Sequence, residues 1–175
     1  MKNHYIFLIL ISFLSGCSGQ VDIEEVKKGF VDNKQSFERL YTMIKKDTKV
    51  MSCFAVGTRH IGDCWEHDEK WNSNQDYGRK VLLQDVLKEV GLSTERYVEY
   101  LSLFKETGSK RVSYCPDSSS WTRIIVGSSG IGVSGCLTSI NINGDGAVPK
   151  TDIQPSYSTE ITPRTNGWYI NHDCT

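Results

Sequence analysis

Two stretches of this chain place reactive residue types at spacings that chemistry could use. The first is HIGDCWEH, residues 60–67, where His60, Cys64 and His67 have Asp63, Glu66 and Asp68 between or beside them. Imidazoles and a thiolate this close could hold zinc, or a histidine could activate Cys64 as a nucleophile. The second is NINGDGAVPKTD, residues 141–152. Side-chain oxygens of Asn141, Asn143, Asp145 and Asp152, with the backbone carbonyl of Ala147, would suit a hard cation such as calcium, and Gly146 permits the sharp turn. Each stretch also has a plainer reading. A cysteine in an oxidising compartment is first a disulfide partner. Asn-Gly followed by Asp-Gly is the strongest short-range hairpin signal. The plainer reading is preferred in both cases: no metal is favoured and no cofactor is expected, with calcium at 141–152 kept as the alternative.

The spacing at 141–152 resembles the calcium loop of EF-hands and of dockerin modules. It departs from them in having Asn141 at the first position, a strand leading in, and Pro155 where an exiting helix should begin. A nucleophilic Cys64 would imply a papain-like cell-wall amidase, but those enzymes resemble an Asp-Cys-Ser-Gly stretch with a histidine in a later strand. Here Asp63-Cys64 is followed by Trp65-Glu66. GIGVSG, residues 130–135, fits the glycine pattern of a dinucleotide site, but CLTSINI continues it as strand where a helix is required. These glycines read as a hairpin turn and places of close backbone approach. Neither G-x-S-x-G nor H-E-x-x-H occurs. Trp65 and Trp71, in a charged segment, are the candidate binding anchors.

Location is legible at the start of the chain. Lys2 precedes the apolar run IFLILISFL, residues 6–14, which is too short to span a bilayer. LSGC, residues 14–17, resembles the lipobox of bacterial lipoproteins. The resemblance implies a signal peptide over residues 1–16, cleavage before Cys17 and acylation of that residue. A tether over 17–21 would then hold a single domain, residues 22–175, to the lipid bilayer, since several acyl chains anchor far better than one. In a Gram-negative cell, Ser18 favours the outer membrane, facing the periplasm.

Composition agrees with an exported, folded domain. The 175 residues carry 20 basic and 21 acidic side chains, for a formal net charge of −1. No basic run exceeds two residues, so nucleic acid is not an expected partner. Five cysteines remain after Cys17: Cys53, Cys64, Cys115, Cys136 and Cys174. Cys53 with Cys64 is the first expected pair and Cys115 with Cys174 the second. That leaves Cys136 as a small buried hydrophobe, although spacing cannot fix connectivity.

Elements follow from periodicity. Asp22 caps a helix that the apolar repeat Ile23, Val26, Phe30, Phe37, Leu40, Ile44 carries to about Lys46. Residues 49–56 read as a strand and 57–75 as a long polar loop. A second helix is predicted over 76–90, ending at Gly91, and a third from Ser93 or Thr94 to Gly108. Beyond Gly108, β-branched and aromatic segments predict strands. The first three form a meander, and a proline-rich stretch between 147 and 166 makes a loop or interrupted edge strand. The fold class is therefore α+β: about three helices packed on one face of an antiparallel meander, stabilised by disulfides.

The functional expectation is a non-enzymatic binding or protective module on the cell envelope, with a protein partner. Its element order, closing on GWYI, is similar to small bacterial lipoproteins with toxin-immunity roles. The alternatives are an envelope hydrolase or metal-dependent protein using His60, Cys64 and His67, or a calcium-dependent binder using 141–152.

Overall fold

Asp22 opens the first helix by capping it. The computed structural model describes residues 21–48, 53–73, 80–116, 120–131, 134–154 and 157–175; the leader, Cys17 and the tether to residue 20 lie outside them. The Asp22 carboxylate accepts hydrogen bonds from the backbone N–H groups of Glu24 and Glu25, which have no partner within the helix. α1 (Ile23–Asp32) then stops where a single helix was expected to continue. Asn33 leaves helical geometry (φ −116°, ψ 25°), and both its N–H and its side-chain amide bond the Gly29 carbonyl. α2 (Lys34–Asp47) restarts at once. Periodicity hid the break because Phe30, Phe37, Leu40 and Ile44 are buried on both sides of it.

The polar segment after residue 57 is not a loop. It forms three short strands that extend β1 (Phe54–Gly57): β2 (His60–Ile61), β3 (Cys64–His67) and β4 (Lys70–Ser73). Asp68 and Glu69 both take positive φ (50° and 60°), the geometry of a two-residue hairpin turn. The sequence looked loop-like because one side of these strands faces solvent. β5 (Lys80–Val81) pairs with β4, so Val81 is strand and the next helix, α3 (Leu83–Val90), begins later than expected. The predicted start at Asp76 falls outside the described residues. Gly91 ends α3 in the left-handed region (φ 70°). Ser93 caps α4 (Thr94–Thr107) by accepting from the Arg96 N–H at 3.1 Å.

The remaining strands are β6 (Arg111–Cys115), β7 (Trp121–Ile131), β8 (Ser134–Asn143), β9 (Asp152–Gln154), β10 (Tyr157–Pro163) and β11 (Trp168–Cys174). All join one 11-stranded sheet in the order β5-β4-β3-β2-β1-β6-β7-β8-β11-β10-β9, and every pairing is antiparallel. The fold is α+β, with the first expected helix divided in two. The last four strands form a Greek key read from its far end. Consequently the Asn-Gly-Asp-Gly turn does not close a hairpin. It ends β8 and sends the chain to the edge strand β9, while β11 takes the place beside β8.

Register builds the core. Ile61 pairs with Val56, Val56 with Val112, Val112 with Ile124, Ile124 with Ile140, and Ile140 with Ile170. These six side chains form a stripe across the sheet, each no more than 1% exposed. Phe30, Phe37, Leu40, Ile44, Leu87, Tyr100, Leu103 and Phe104 from the helices belong to the same core cluster. Burying each such aliphatic or aromatic side chain contributes about 1.5–3 kcal/mol. Arg96 then ties α4 to α2, with Nε 2.7 Å from one Asp47 oxygen and Nη2 3.3 Å from the other. The Tyr100 hydroxyl donates to the same carboxylate at 2.8 Å.

The disulfides correct both expected pairings. Cys53 bonds Cys115 and Cys136 bonds Cys174, while Cys64 is a buried free thiol. Each bridge joins neighbouring antiparallel strands that are distant in sequence, which is why spacing along the chain misassigned them. Two disulfides point to an oxidising compartment outside the cytoplasm. No helix among the described residues is long and apolar enough to cross a membrane.

Candidate functional site

Strand alternation separates the residues that the sequence had grouped. His60 pairs with Trp65, and Ile61 with Cys64. Successive side chains point to opposite faces, so Cys64 joins Ile61 against the helices while His60 and His67 lie on the other side. Burial, and then the Glu89 carboxylate, push the Cys64 thiol up and keep it protonated. A zinc or nucleophile site needs His60, Cys64 and His67 on one side of the backbone; the pleat forbids it. The Trp pair divides for the same reason. Trp71 is a core residue, 7% exposed, and cannot anchor a partner, whereas Trp65 is half-buried on the helix-free face.

Asn141, Asn143, Asp145 and Ala147 do not converge on a cation either, and the Asp152 side chain lies outside what the structure describes. Asn141 is inside β8, buried, with its amide donating to Ser139 Oγ at 3.0 Å. Asn143 Nδ2 donates to the Ala147 carbonyl at 2.7 Å, and Asp145 Oδ1 accepts from the Ala147 N–H at 2.8 Å. The ends of the turn are therefore bonded to each other, which is the local Asx geometry expected of turn residues. Asp152 opens the edge strand β9, its backbone opposite Thr159.

What register does assemble is a polar face. On the side of the sheet opposite the helices, Ser113 stands opposite Arg123, Arg123 opposite Asn141, and Asn141 opposite Tyr169. In the neighbouring row, Gly57 faces Arg111, Arg111 faces Ile125, Ile125 faces Ser139, and Ser139 faces Asn171. Among the described residues no helix covers this side, yet Ser113, Ser139, Asn141, Tyr169 and Asn171 are all buried. The Tyr169 hydroxyl donates to Asn143 Oδ1 at 3.1 Å, and Asn171 Nδ2 donates to Asp173 Oδ2 at 2.7 Å.

Three buried polar atoms on this face have no partner: His60 Nδ1, Arg123 Nε and Asn171 Oδ1. An orphaned buried polar group costs about 1–3 kcal/mol, so each calls for a reason. The electrostatics are equally uneven. Burial, then the Arg111 charge, lower the His60 pKa; burial, then Arg123, lower that of Arg111. Neither Arg111 nor Arg123 has an ion-pair partner among the described residues, whereas Arg39, Arg59 and Arg96 each hold a carboxylate.

Sequence reasoning missed this face, although its signal is present. Polar residues recur every second position at Arg111 and Ser113, at Ser139, Asn141 and Asn143, and at Tyr169, Asn171 and Asp173, the alternation of a sheet with one polar side. It also missed a cluster of Cys136, His172 and Cys174, whose ligand atoms all lie within 4.8 Å. His172 is buried, with Nδ1 2.8 Å from Thr138 Oγ1 and Nε2 3.2 Å from Cys174 Sγ. The two sulfurs are bonded to each other, so in this oxidised state they are not thiolate ligands. No family model, curated protein or solved structure matches the chain.

Proposed function

We propose that this chain is an envelope lipoprotein, anchored through acylated Cys17, whose domain is a non-enzymatic module that binds a protein partner. An immunity-type role, capturing a toxin at the envelope, is the form of this reading that we favour. If the cell is Gram-negative, the anchor places it on the outer membrane, facing the periplasm. The observation that carries the reading is the helix-free face. A sheet side left open to water is ordinarily covered with exposed, freely solvated side chains. Here it is an ordered row of buried Ser, Asn and Tyr interleaved with two arginines that have no ion pair among the described residues. Side chains fixed by cross-strand register are pre-organised, which reduces the entropy cost of binding.

Two measurements test the proposal. Replacing Cys17 with Ser should leave uncleaved precursor and remove acyl label; normal processing and soluble export of that variant would overturn the anchor. For the module, the mature protein is used to capture partners from envelope and competitor-cell extracts. Capture should be lost in Trp65→Asp, at a half-buried position of that face, and retained in Val98→Asp, a change at a helix position that is 56% exposed. Equal capture by both variants removes the helix-free face from the argument.

A further inference from the structure

We propose that Arg111 and Arg123 form a carboxylate-binding site on the helix-free face, and that its occupant is an acidic segment of a protein partner. This rests on the binding-module reading and names the chemistry that reading leaves open.

The two side chains are held on one side of the sheet by register. Arg111 stands opposite Ile125 and Arg123 opposite Ser113, so the arginines are diagonal neighbours on adjacent strands. At that separation long side chains reach one another. Arg111 is seated by Gly57. A Cβ at that position would lie 2.9 Å from the Lys110 carbonyl oxygen, 3.1 Å from Arg111 Cβ and 3.3 Å from its Cγ, so a larger residue would displace that backbone and crowd the stem. Arg111 Nε is 3.3 Å from Ser113 Oγ. The Arg123 guanidinium lies over the Trp121 ring, 5.4 Å from its centroid, which fixes the plane of the fork.

Charge is what remains unanswered. Two permanently charged guanidiniums sit side by side, half-buried, without a salt bridge among the described residues. The acidic groups near the face are committed or distant in function. Asp173 accepts from Thr159 at 2.8 Å and from Asn171 at 2.7 Å, and Asp63 acts on His60 from the β2–β3 turn. The chain is nearly neutral overall, at −1, so this is a local concentration and not general basicity. An incoming carboxylate offsets the repulsion between the two guanidiniums. The flanking aromatics Trp65 and Trp121, both half-buried, suit a polypeptide, because aromatic residues and arginine are enriched at protein interfaces.

The test titrates the mature protein, in neutral detergent, with a hexaglutamate peptide. Inorganic phosphate and vesicles of anionic phospholipid serve as separate arms. Saturable peptide binding that weakens at least tenfold in Arg111→Gln and in Arg123→Gln, but not in Arg39→Gln, supports the site. Arg111→Lys keeps the charge without the fork and should fall between. Absence of peptide binding, binding unchanged in the glutamine variants, or tighter binding to phosphate or vesicles overturns it. Capture of a protein partner that survives both glutamine variants but not Trp65→Asp also overturns the arginine site, while leaving the binding-face reading intact.

Discussion

The two faces of the sheet obey the same register and solve opposite problems. On the helix side, one residue from each of six strands makes the stripe from Ile61 to Ile170, and the helices cover it. On the other side, one residue further along each strand, the row runs Ser113, Arg123, Asn141, Tyr169. The first face is stabilised by removing apolar surface from water, which needs no particular partner. The second keeps polar groups out of full solvent contact and leaves some without partners, a local cost that stability alone does not explain. Alternation thus lets one sheet separate the work of folding from the work of recognition.

The largest expected effect comes from the covalent frame that both faces share. The Cys53–Cys115 bridge spans 62 residues, so Cys115→Ser should cost about 4 kcal/mol in the chain-entropy model. Denaturant unfolding measures it, and non-reducing peptide mapping should find Cys64 alone as a free thiol. Free Cys53 and Cys115 in the native protein would dissolve the frame.

On the helix side, Ile124→Ala should cost about 3 kcal/mol, because its fully buried side chain leaves a cavity among close-packed neighbours. One residue away, Arg123→Gln should change stability by less than about 1 kcal/mol, since it removes a like-charge contact as well as a side chain. Similar costs at both positions in chemical denaturation would erase the contrast between the faces.

A smaller effect depends on pH. His60 is held below its ordinary value by burial and by Arg111, so the folded state binds fewer protons than the unfolded one in that range. Its contribution is present above about pH 6.5 and is lost as pH falls below that toward the lower folded value. His60→Gln should flatten the slope of stability over this window; an unchanged slope would assign it to other groups. The smallest effect is none: millimolar calcium should leave the melting temperature unmoved, because Asn143 already occupies the Ala147 carbonyl. A calcium-dependent rise abolished by Asp145→Ala would restore the metal reading.

Local signals were readable where a local cause decides the structure. The Asp22 and Ser93 caps, the glycine stops at 91 and 108, the β6–β7–β8 meander and the α+β class were all legible in the sequence. Each depends on residues within a few positions of one another. The segment after residue 57 was misread because two-residue turns between strands of only two to four residues leave too short a pattern for period two to stand out. The break at Asn33 was hidden by apolar residues that keep one face across it.

The amino-acid sequence by itself determined the Asp22 and Ser93 caps, the glycine stops at 91 and 108, and the strand character of the segments beyond Gly108. Tertiary structure alone decided which distant strands lie side by side. Pairings between distant segments are set by packing of the whole sheet, and no local propensity encodes them. That choice joined Cys53 to Cys115 and Cys136 to Cys174, and turned Cys64 away from His60. It also brought Arg111 and Arg123, ordinary charges in the linear chain, to one open face.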